Sequence, residues 1–393
     1  MIYYKQHYLI KGESIVKFTV KRTAFLNKLK DVQLAISTKA TIPILTGIKL
    51  VVAQDGIHLT GSNSDISIET FIDRDDQSVD LTIEETGSIV LQPAHLFSNI
   101  VGKLPDTHFT VELDERNQAQ ITSASSSFSI NGIEASKYPK LPDINLDHAF
   151  LLPTVLLKNI IRQTVIAVSN HESRPILTGV NLSFKDETLK AVAPDSHRLS
   201  QRVIPLEGDH EETFNIVIPG KSLTELSKLL DENTSHVKLA IVDNQILFNV
   251  KDTYFYSRLL EGNYPATDRL IPEKSNTDIV LDVQTLLGAV ERASLLSHQG
   301  KNNVVKLSAT ADQLMITGQS PEIGHVEEIV EFDSFTGDPI DISFNPDYLK
   351  QALNAFGVGE VTMKLLSTLQ PFVLMPNDEN KDFIQLITPI RTS

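Results

Sequence analysis

The sequence contains neither cysteine nor tryptophan among its 393 residues. The lack of cysteine excludes disulfides, thiol nucleophiles and cysteine-ligated zinc or iron–sulfur sites, and it is typical of proteins in a reducing cytosol. No apolar run approaches the roughly 20 residues that a membrane helix needs. Residues 1–15 have neither the apolar segment nor the cleavage site of a signal peptide. We therefore expect a cytoplasmic protein that has no membrane partner.

Residues 1–15 also match no later part of the sequence, whereas a strand-like alternation, Val-Lys-Phe-Thr-Val, begins at residues 16–20. We expect residues 1–15 to be an extension, or the product of a start codon assigned upstream of a true start at residue 16. Mass spectrometry of natively expressed protein would distinguish the two, because an intact Met1 excludes the later start.

The chain contains three repeats of about 126 residues. Residues 43–47, Pro-Ile-Leu-Thr-Gly, recur unchanged at residues 175–179, and Asn63-Ser64 corresponds to Asp195-Ser196 at the same spacing of 132 positions. Further correspondences join Tyr138-Pro139 with Tyr264-Pro265, and residues 91–93 with 217–219 and 344–346. Because repeats fix an architecture before any local assignment, we predict three domains. Their ranges are 16–145, 146–272 and 273–393.

Each repeat combines helical and strand-like patterns. Apolar residues at three- and four-residue spacing predict helices, whereas alternating or β-branched runs predict strands. The predicted helices are 22–36, 93–102, 153–168, 219–231, 282–297 and 346–356, and the clearest strands are 109–113, 119–123, 237–242, 245–250 and 279–283. The sequence therefore predicts an α+β fold with two helices and about eight strands, in antiparallel sheets, in each domain.

Positive charge is concentrated in the predicted helices, although the chain has 50 acidic and 35 basic residues and a formal net charge of −15. That net charge alone disfavours nucleic acid. The helices with their immediate flanks, however, hold 12 basic and only 5 acidic residues. If the helices face a common channel inside a wall of strands, the channel would attract phosphates without reading sequence. For any single lysine, the alternative to DNA binding is that it only belongs to a solvated helix face. The candidate DNA-binding residues are Lys21, Arg22, Lys28, Lys30, Lys39, Lys103, Lys158, Arg162, Lys221 and Lys228.

Four segments resemble the bacterial beta clamp family, the beta subunit of DNA polymerase III. They are Ile42–Leu45, Asp195–Leu199, Glu261–Pro265 and Leu386–Arg391. The resemblance covers residues 16–393 and depends on order, spacing and threefold repetition. It implies a non-catalytic processivity factor: a head-to-tail homodimeric ring whose helices line the hole, encircling double-stranded DNA without sequence specificity.

The resemblance also implies a joint between the two subunits. It places Leu295 and Leu296 of the third domain against Phe128 of the first, with acidic Glu322, Glu327 and Glu328 nearby. Ser125 and Ser127 stand where some family members carry arginines. We therefore expect the ionic part of this joint to be weaker or differently partnered.

A peptide-binding cleft between the second and third domains is the last implication of the resemblance. It would receive short motifs rich in Gln, Leu and Phe from the DNA polymerase III alpha subunit, the clamp loader, other DNA polymerases and repair proteins. Pro194 stands where we expect threonine, so motif preference is expected to differ. For Leu177, Leu199 and Leu270, ordinary core packing is the alternative. The matching peptide-binding positions are Arg174, Leu177, Pro194, Ser196, His197, Leu199, Pro265, Arg269, Leu270, Asn345, Tyr348, Leu369, Leu386, Thr388, Pro389, Ile390 and Arg391.

No catalytic motif is present in the sequence. Gly357-Val358-Gly359 lacks the third glycine of a dinucleotide site, and His171-Glu172 lacks the second histidine of a zinc protease. We therefore expect no catalytic residue, no metal and no cofactor. Two alternatives stay open: a hydrolase whose Asp/Glu pair forms only in space, and a scaffold that binds peptides but not DNA. Saturable turnover by pure protein would support the first, and equal retention on circular and linear DNA the second.

Overall fold

The computed structural model describes residues 16–142, 144–147, 149–171, 173–206, 213–231, 233–299, 303–378 and 382–391. In these ranges the chain forms six α-helices and 26 strands, which confirms the predicted α+β class. The prediction about residues 1–15 lies outside the described residues. None of the helices in the described part of the chain combines the length and apolar character that crossing a bilayer would require.

The six helices lie where the apolar spacing predicts them. They are α1 (Arg22–Gln33), α2 (Ala94–Lys103), α3 (Thr154–Thr164), α4 (Gly220–Ser227), α5 (Val283–Ser297) and α6 (Pro346–Phe356). In α1, Phe25, Leu29 and Val32 form the buried stripe. Helices α1 and α4 end before the predicted residues 36 and 231, because the next amides donate three residues back instead of four.

The strands form antiparallel ladders throughout. They are β1 (Lys17–Lys21), β2 (Ile48–Val52), β3 (Gly56–Ser62), β4 (Ile66–Asp73), β5 (Thr82–Glu85), β6 (Gly87–Leu91), β7 (His108–Leu113), β8 (Gln118–Ser123), β9 (Ser126–Ile133), β10 (Phe150–Pro153), β11 (Gly179–Lys185), β12 (Thr188–Pro194), β13 (Arg198–Pro205), β14 (Phe214–Pro219), β15 (His236–Val242), β16 (Gln245–Val250), β17 (Thr253–Arg258), β18 (Thr277–Asp282), β19 (Val305–Ala309), β20 (Leu314–Ser320), β21 (Gly324–Val330), β22 (Ser334–Gly337), β23 (Ile340–Phe344), β24 (Glu360–Leu365), β25 (Phe372–Pro376) and β26 (Phe383–Ile387). The five predicted strands are confirmed, except that Val283 begins α5 instead of ending β18.

The described residues divide into two compact units. Unit 1 comprises the described parts of Met1–Thr154 and Glu225–Arg258, and unit 2 those of Val155–Thr224 and Leu259–Ser393. Unit 1 holds one sheet, in the order β10-β15-β16-β17-β4-β3-β2-β6-β9-β8-β7-β1-β5. Unit 2 holds two sheets, in the orders β14-β11-β12-β13-β26-β25-β24-β18-β22 and β21-β20-β19-β23. Strands of the predicted middle repeat therefore contribute to both units.

The repeated Pro-Ile-Leu-Thr-Gly segment forms the same turn twice. Residues Pro43–Thr46 and Pro175–Thr178 are each a 3₁₀ turn, in which the threonine hydroxyl donates to the proline carbonyl at 2.9 Å and 2.7 Å respectively. A Cβ on the glycine that follows would lie 2.9 Å from a neighbouring strand's carbonyl at Gly47 and 2.7 Å from one at Gly179. The sequence repeat is thus a structural repeat, and its glycine is required by a close approach of strands.

A strand from one predicted repeat pairs with a strand from the next at two places in the chain. In unit 1, β4 pairs with β17, and Ile68 lies opposite Phe255. In unit 2, β13 pairs with β26, and Ser200 lies opposite Gln385. These two ladders, called junctions below, connect successive repeats by main-chain hydrogen bonds.

Candidate functional site

The floor of the predicted peptide cleft is built by the second junction, in unit 2. The ladder between β13 and β26 sets Leu199 opposite Leu386, and both side chains are buried in one apolar cluster with Val192 and Val373. Tyr264 packs against the cluster, and its hydroxyl donates to the carbonyls of Gly179 and Val192 at 3.1 Å and 3.0 Å. Ordinary core packing therefore accounts for the side chains of Leu199 and Leu386.

Three other predicted cleft residues keep apolar surface exposed. The relative exposures of Leu270, Leu369 and Ile390 are 50%, 56% and 37%. Leu177 is half-buried, and Arg174, Ser196, Pro265, Arg269 and Arg391 are exposed, whereas Pro194 is buried. Core packing thus does not account for Leu270, and exposed apolar side chains beside polar ones suit a peptide anchor.

The carboxyl-terminal segment is held against unit 2 by its backbone. The amide and hydroxyl of Thr388 both donate to the His197 carbonyl, at 2.9 Å and 3.0 Å. Two residues further on, the amide of Ile390 donates to the Ser343 carbonyl at 2.7 Å. Residues 388–390 are therefore fixed beside the turn that carries His197, with Pro389 half-buried between them.

An aromatic pair stands beside this segment. The rings of His197 and Tyr348 lie 5.9 Å apart, centroid to centroid, with an interplanar angle of 16°. Tyr348 lies in the first turn of α6, which Asn345 caps by accepting the Asp347 amide at 2.9 Å. Burial raises the pKa of Tyr348, and the carboxylate of Asp195 adds to the rise.

Two residues of this region were missed as site residues by sequence reasoning, although both belong to a quoted motif. The guanidinium of Arg198 lies 4.6 Å from the Tyr348 ring centroid, and its Nε donates to Asp195 Oδ2 at 2.9 Å. Arg198 is only 9% exposed and also donates to the side-chain oxygen of Gln351. The sequence did contain a signal for this pair. Asn63 of the first repeat is replaced by Asp195 in the second, which places a negative charge at the equivalent turn position.

The predicted DNA-binding cations differ in how free they are. Lys28 forms an ion pair with Asp252, and Lys228 pairs with Glu225 at 2.8 Å. Arg22 donates to the carbonyls of Gly102 and Asp106, at 3.1 Å each. These three cations therefore already have partners within unit 1.

Four of the other seven predicted cations remain available. Within the described ranges, Lys30, Lys39, Lys103 and Lys221 are exposed and form no ion pair. The remaining three are half-buried Lys21 and Lys158, and exposed Arg162, which donates to the Asn354 carbonyl near the end of α6 at 3.3 Å. None of the ten lies on α5 or α6, so the predicted positive charge belongs to the first and second repeats.

Comparison with known proteins decides the family. Models of the DNA polymerase III beta subunit match residues 16–142 as the N-terminal domain, 151–266 as the central domain and 268–391 as the C-terminal domain. The beta sliding clamp of Bacillus subtilis is 48% identical over 382 residues, which is 96% of this chain and 100% of the relative. The chain belongs to the DNA polymerase III beta subunit family. It is accordingly a non-catalytic sliding clamp and processivity factor of DNA replication, with DNA and DNA polymerase as its partners.

Solved structures of the family agree with the fold. The beta chain of Streptococcus pneumoniae TIGR4 superposes with a TM-score of 0.93 at 42% identity, covering 96% of this chain and 100% of that one. The Bacillus subtilis sliding clamp superposes with a TM-score of 0.92 at 47% identity, covering 97% and 100%. The fold of three clamp domains that the resemblance implies is therefore confirmed.

The residues predicted for the subunit joint lie on exposed surfaces. Leu295 on α5 is 68% exposed, Leu296 is half-buried, and Phe128 on β9 is 40% exposed. Glu322 and Glu327 are exposed, whereas Glu328 accepts two hydrogen bonds from Arg292, at 3.0 Å and 2.9 Å. The Arg292 guanidinium holds the pKa of Glu328 below its usual range. One of the three predicted joint carboxylates is thus already paired within its own chain.

Proposed function

We propose that two copies of the chain close head to tail into a ring around duplex DNA, and that two unpaired strand edges make the joint. In unit 2, β21 pairs with β20 on one side and with none of the other strands that the structure describes. In unit 1, residues 126–131 of β9 pair only with β8 among the described strands. A strand edge with free amides and carbonyls is a template for another chain, and a second copy offers the complementary edge.

The internal repeat predicts the register of that joint. At the first junction, Ile68 of β4 pairs with Phe255 on one side and with Gly61 of β3 on the other. At the second junction, Ser200 of β13 pairs with Gln385 on one side and with Ala193 of β12 on the other. Gly318 of β20 is the third member of this series, since a Cβ there, as at Gly61, would meet a helix carbonyl. Gly318 pairs with Val326 of β21. Val326 therefore corresponds to Ile68 and Ser200.

The other side of the joint follows from a second count. The ladders β8–β9, β16–β17 and β25–β26 are equivalent in the three repeats. The residue four positions before α1, α3 or α5 is Phe18, Phe150 or Ile279, and its strand partner pairs in turn with Ile121, Phe248 or Leu374. Their equivalent pairs are Ile121–Phe128, Phe248–Phe255 and Leu374–Gln385. Phe128 thus corresponds to Phe255 and Gln385, the partners of Ile68 and Ser200. We infer that Phe128 of a second copy lies opposite Val326.

Within such a ring, we propose that the helix cations face the duplex and bind phosphates without reading bases. The excess of cations on helices over an acidic remainder supports this, since phosphate contacts carry no sequence information and permit sliding. A clamp that the clamp loader has placed on nicked circular DNA should stay bound, and should leave when the circle is cut. Equal retention on circle and line would instead indicate an ordinary DNA-binding protein, and no retention on either would favour a peptide-binding scaffold.

Single lysines provide a graded test. Exposed Lys30 has no ion-pair partner among the described residues, whereas nearby Lys28 pairs with Asp252. Lys30→Ala should lower the salt slope of DNA retention by about one, and Lys28→Ala should lower it less. Equal slopes in both variants and the unaltered protein would remove these lysines from the DNA surface.

We further propose that the surface around Leu270, Tyr348 and Ile390 binds Gln/Leu/Phe-rich motifs of the polymerase alpha subunit, the clamp loader, other polymerases and repair proteins. The buried floor at Leu199 and Leu386 with exposed apolar side chains nearby supports this. Fluorescence anisotropy of a labelled Gln-Leu-Phe peptide tests it, with competition by unlabelled peptide.

The proposed domain boundaries are 16–145, 146–272 and 273–393, and the proposed location is the cytoplasm.

A further inference from the structure

The turn before β13 has a counterpart in the first repeat, and the two differ in charge. In the first repeat, Asn63 Oδ1 accepts the amides of Asp65 and Ile66 at 2.8 Å and 2.9 Å. In the second, Asp195 Oδ1 accepts the amides of His197 and Arg198 at 2.7 Å and 2.9 Å. A neutral amide therefore suffices to form the turn. Formation of the turn therefore does not explain the negative charge of Asp195.

The negative charge of Asp195 forms an ion pair with the Arg198 side chain. The second carboxylate oxygen, Asp195 Oδ2, accepts from Arg198 Nε at 2.9 Å, and the two side chains are 14% and 9% exposed. In the first repeat, Ile66 stands at the position of Arg198 and is buried. An apolar residue is the simpler occupant, since a charge pair removed from water pays desolvation that only further contacts offset.

Those further contacts reach α6. The Arg198 guanidinium lies over the Tyr348 ring at 4.6 Å and donates to Gln351 one turn further along the helix. Tyr348 also stacks with His197, whose amide donates to Asp195. One ion pair thus orients both aromatic rings, His197 through the backbone of the turn and Tyr348 through its π face.

We propose that Asp195 and Arg198 are positioning residues, which set the His197–Tyr348 pair as a rigid wall for an incoming peptide without having to touch that peptide. The inference rests on the proposed peptide-binding surface. A wall fixed before binding loses less side-chain freedom on association, which improves affinity. In the first repeat, where Ile66 replaces the arginine, the same turn has no such pair.

Asp195→Asn is the decisive variant. The turn should persist, as it does with Asn63, but the amide nitrogen at position 195 would face the Arg198 Nε donor instead of an acceptor. Loss of this charge-assisted bond should weaken binding of a labelled Gln-Leu-Phe peptide about tenfold. The matched control is Asn63→Asp, which makes the reverse change in the first repeat and should leave peptide affinity unaltered.

Arg198→Met provides an independent readout. The guanidinium opposes the rise in the pKa of Tyr348, so its removal should raise that pKa further. Carbon-13 labelling of the tyrosine rings would report the titration by NMR, and Tyr348→Phe would identify the signal among the eight tyrosines. A structural role in the turn alone would leave the phenol titration where it was.

The outcomes separate the two proposals. If the unaltered protein binds no such peptide, the peptide-binding surface itself is refuted. If it binds, and Asp195→Asn binds equally well, the positioning inference is overturned. Weaker binding by Asp195→Asn, with Asn63→Asp unchanged and cooperative thermal unfolding retained, supports it. Should Arg198→Met fail to fold, Asp195→Asn still decides, because asparagine is already compatible with this turn.

Discussion

A pair of engineered cysteines would test the register inferred for the subunit joint. The chain contains no cysteine, so in the double variant Val326→Cys, Phe128→Cys the only thiols are those at the joint, and the same disulfide can form at each of the two joints of the ring. Residues directly opposite in an antiparallel ladder have Cα atoms about 4.5–5.5 Å apart, within the roughly 4.4–6.8 Å that a disulfide spans. Val326 and Phe128 are both partly exposed in the chain by itself, so neither change opens a core cavity. We expect rapid oxidation between copies.

The control moves one cysteine by one residue. Glu327→Cys with Phe128→Cys keeps the strands and the number of thiols but sets the two Cβ atoms on opposite faces of the sheet. A disulfide cannot form between side chains that point apart. Oxidation at low protein concentration should therefore crosslink the Val326 variant. The Glu327 variant should keep its free thiols and run at the mass of a single chain.

Non-reducing gel electrophoresis reads the result. A closed head-to-tail dimer should yield a single covalent species of twice the 43.6 kDa chain mass, because each chain uses both of its edges within the ring. A ladder of longer multimers would mean that the edges join into an open filament, which contradicts ring closure. Crosslinking of the Glu327 variant in preference to the Val326 variant would refute the register count.

Four further outcomes are expected. Leu295→Asp should give monomers in sedimentation with an unfolding free energy changed by under about 0.5 kcal/mol, since this side chain is 68% exposed; an unchanged mass would remove it from the joint. Deleting residues 388–393 should abolish Gln-Leu-Phe peptide binding while the far-ultraviolet spectrum stays the same, and unaltered affinity would put the peptide elsewhere. Burial raises the pKa of Tyr264. Its stabilising contribution is thus complete below the unfolded value of about 10 and falls as pH rises above it, so Tyr264→Phe should be destabilised by about 1 kcal/mol at neutral pH and lose less stability than the unaltered protein in alkali; parallel urea-unfolding curves across pH would contradict this. Replacing Ser200 with valine and Gln385 with phenylalanine should increase oligomers larger than the dimer, and an identical sedimentation distribution would show that this polar pair does not select its strand.

Helix positions could be predicted from the sequence because burial of one helix face requires apolar residues at three- and four-residue spacing. Phe25, Leu29 and Val32 repeat at the spacing of one helix face, and each of them is buried. The ends were harder to predict, since apolar residues continue past Gln33 although the hydrogen bonds change to the tighter three-residue pattern. Periodicity reports which face is buried, and it does not report where the hydrogen-bond pattern changes.

The candidate site was less accessible to sequence reasoning, because its decisive contacts join distant residues. Nothing near Lys28 in the sequence marks it as paired, because its partner Asp252 lies 224 positions away. Leu199 meets Leu386 only through the β13–β26 ladder, and Arg198 meets Tyr348 only where α6 packs beside the turn. A single sequence lists the charges of these residues without their distances, so it can nominate a surface but cannot say which cations are already neutralised.

The equivalent junctions also raise a problem of strand choice, and their central residues answer it. At the first junction Ile68 and Phe255 are both fully buried and apolar, as the joint pair of Val326 and Phe128 would be. At the second junction, Ser200 donates to the Gln163 carbonyl at 2.6 Å, and Gln385 donates to Ser200 and to the same carbonyl at 2.9 Å and 3.1 Å.

A strand such as β9, whose phenylalanine replaces that glutamine, would lack both hydrogen bonds that Gln385 donates if it paired with β13, while Ser200 would keep its bond to the Gln163 carbonyl. Loss of two hydrogen bonds costs about 1–3 kcal/mol in total. The polar pair therefore favours the correct strand over β9 at this junction, which is how a chain with three similar strand edges can keep one of them for a second copy.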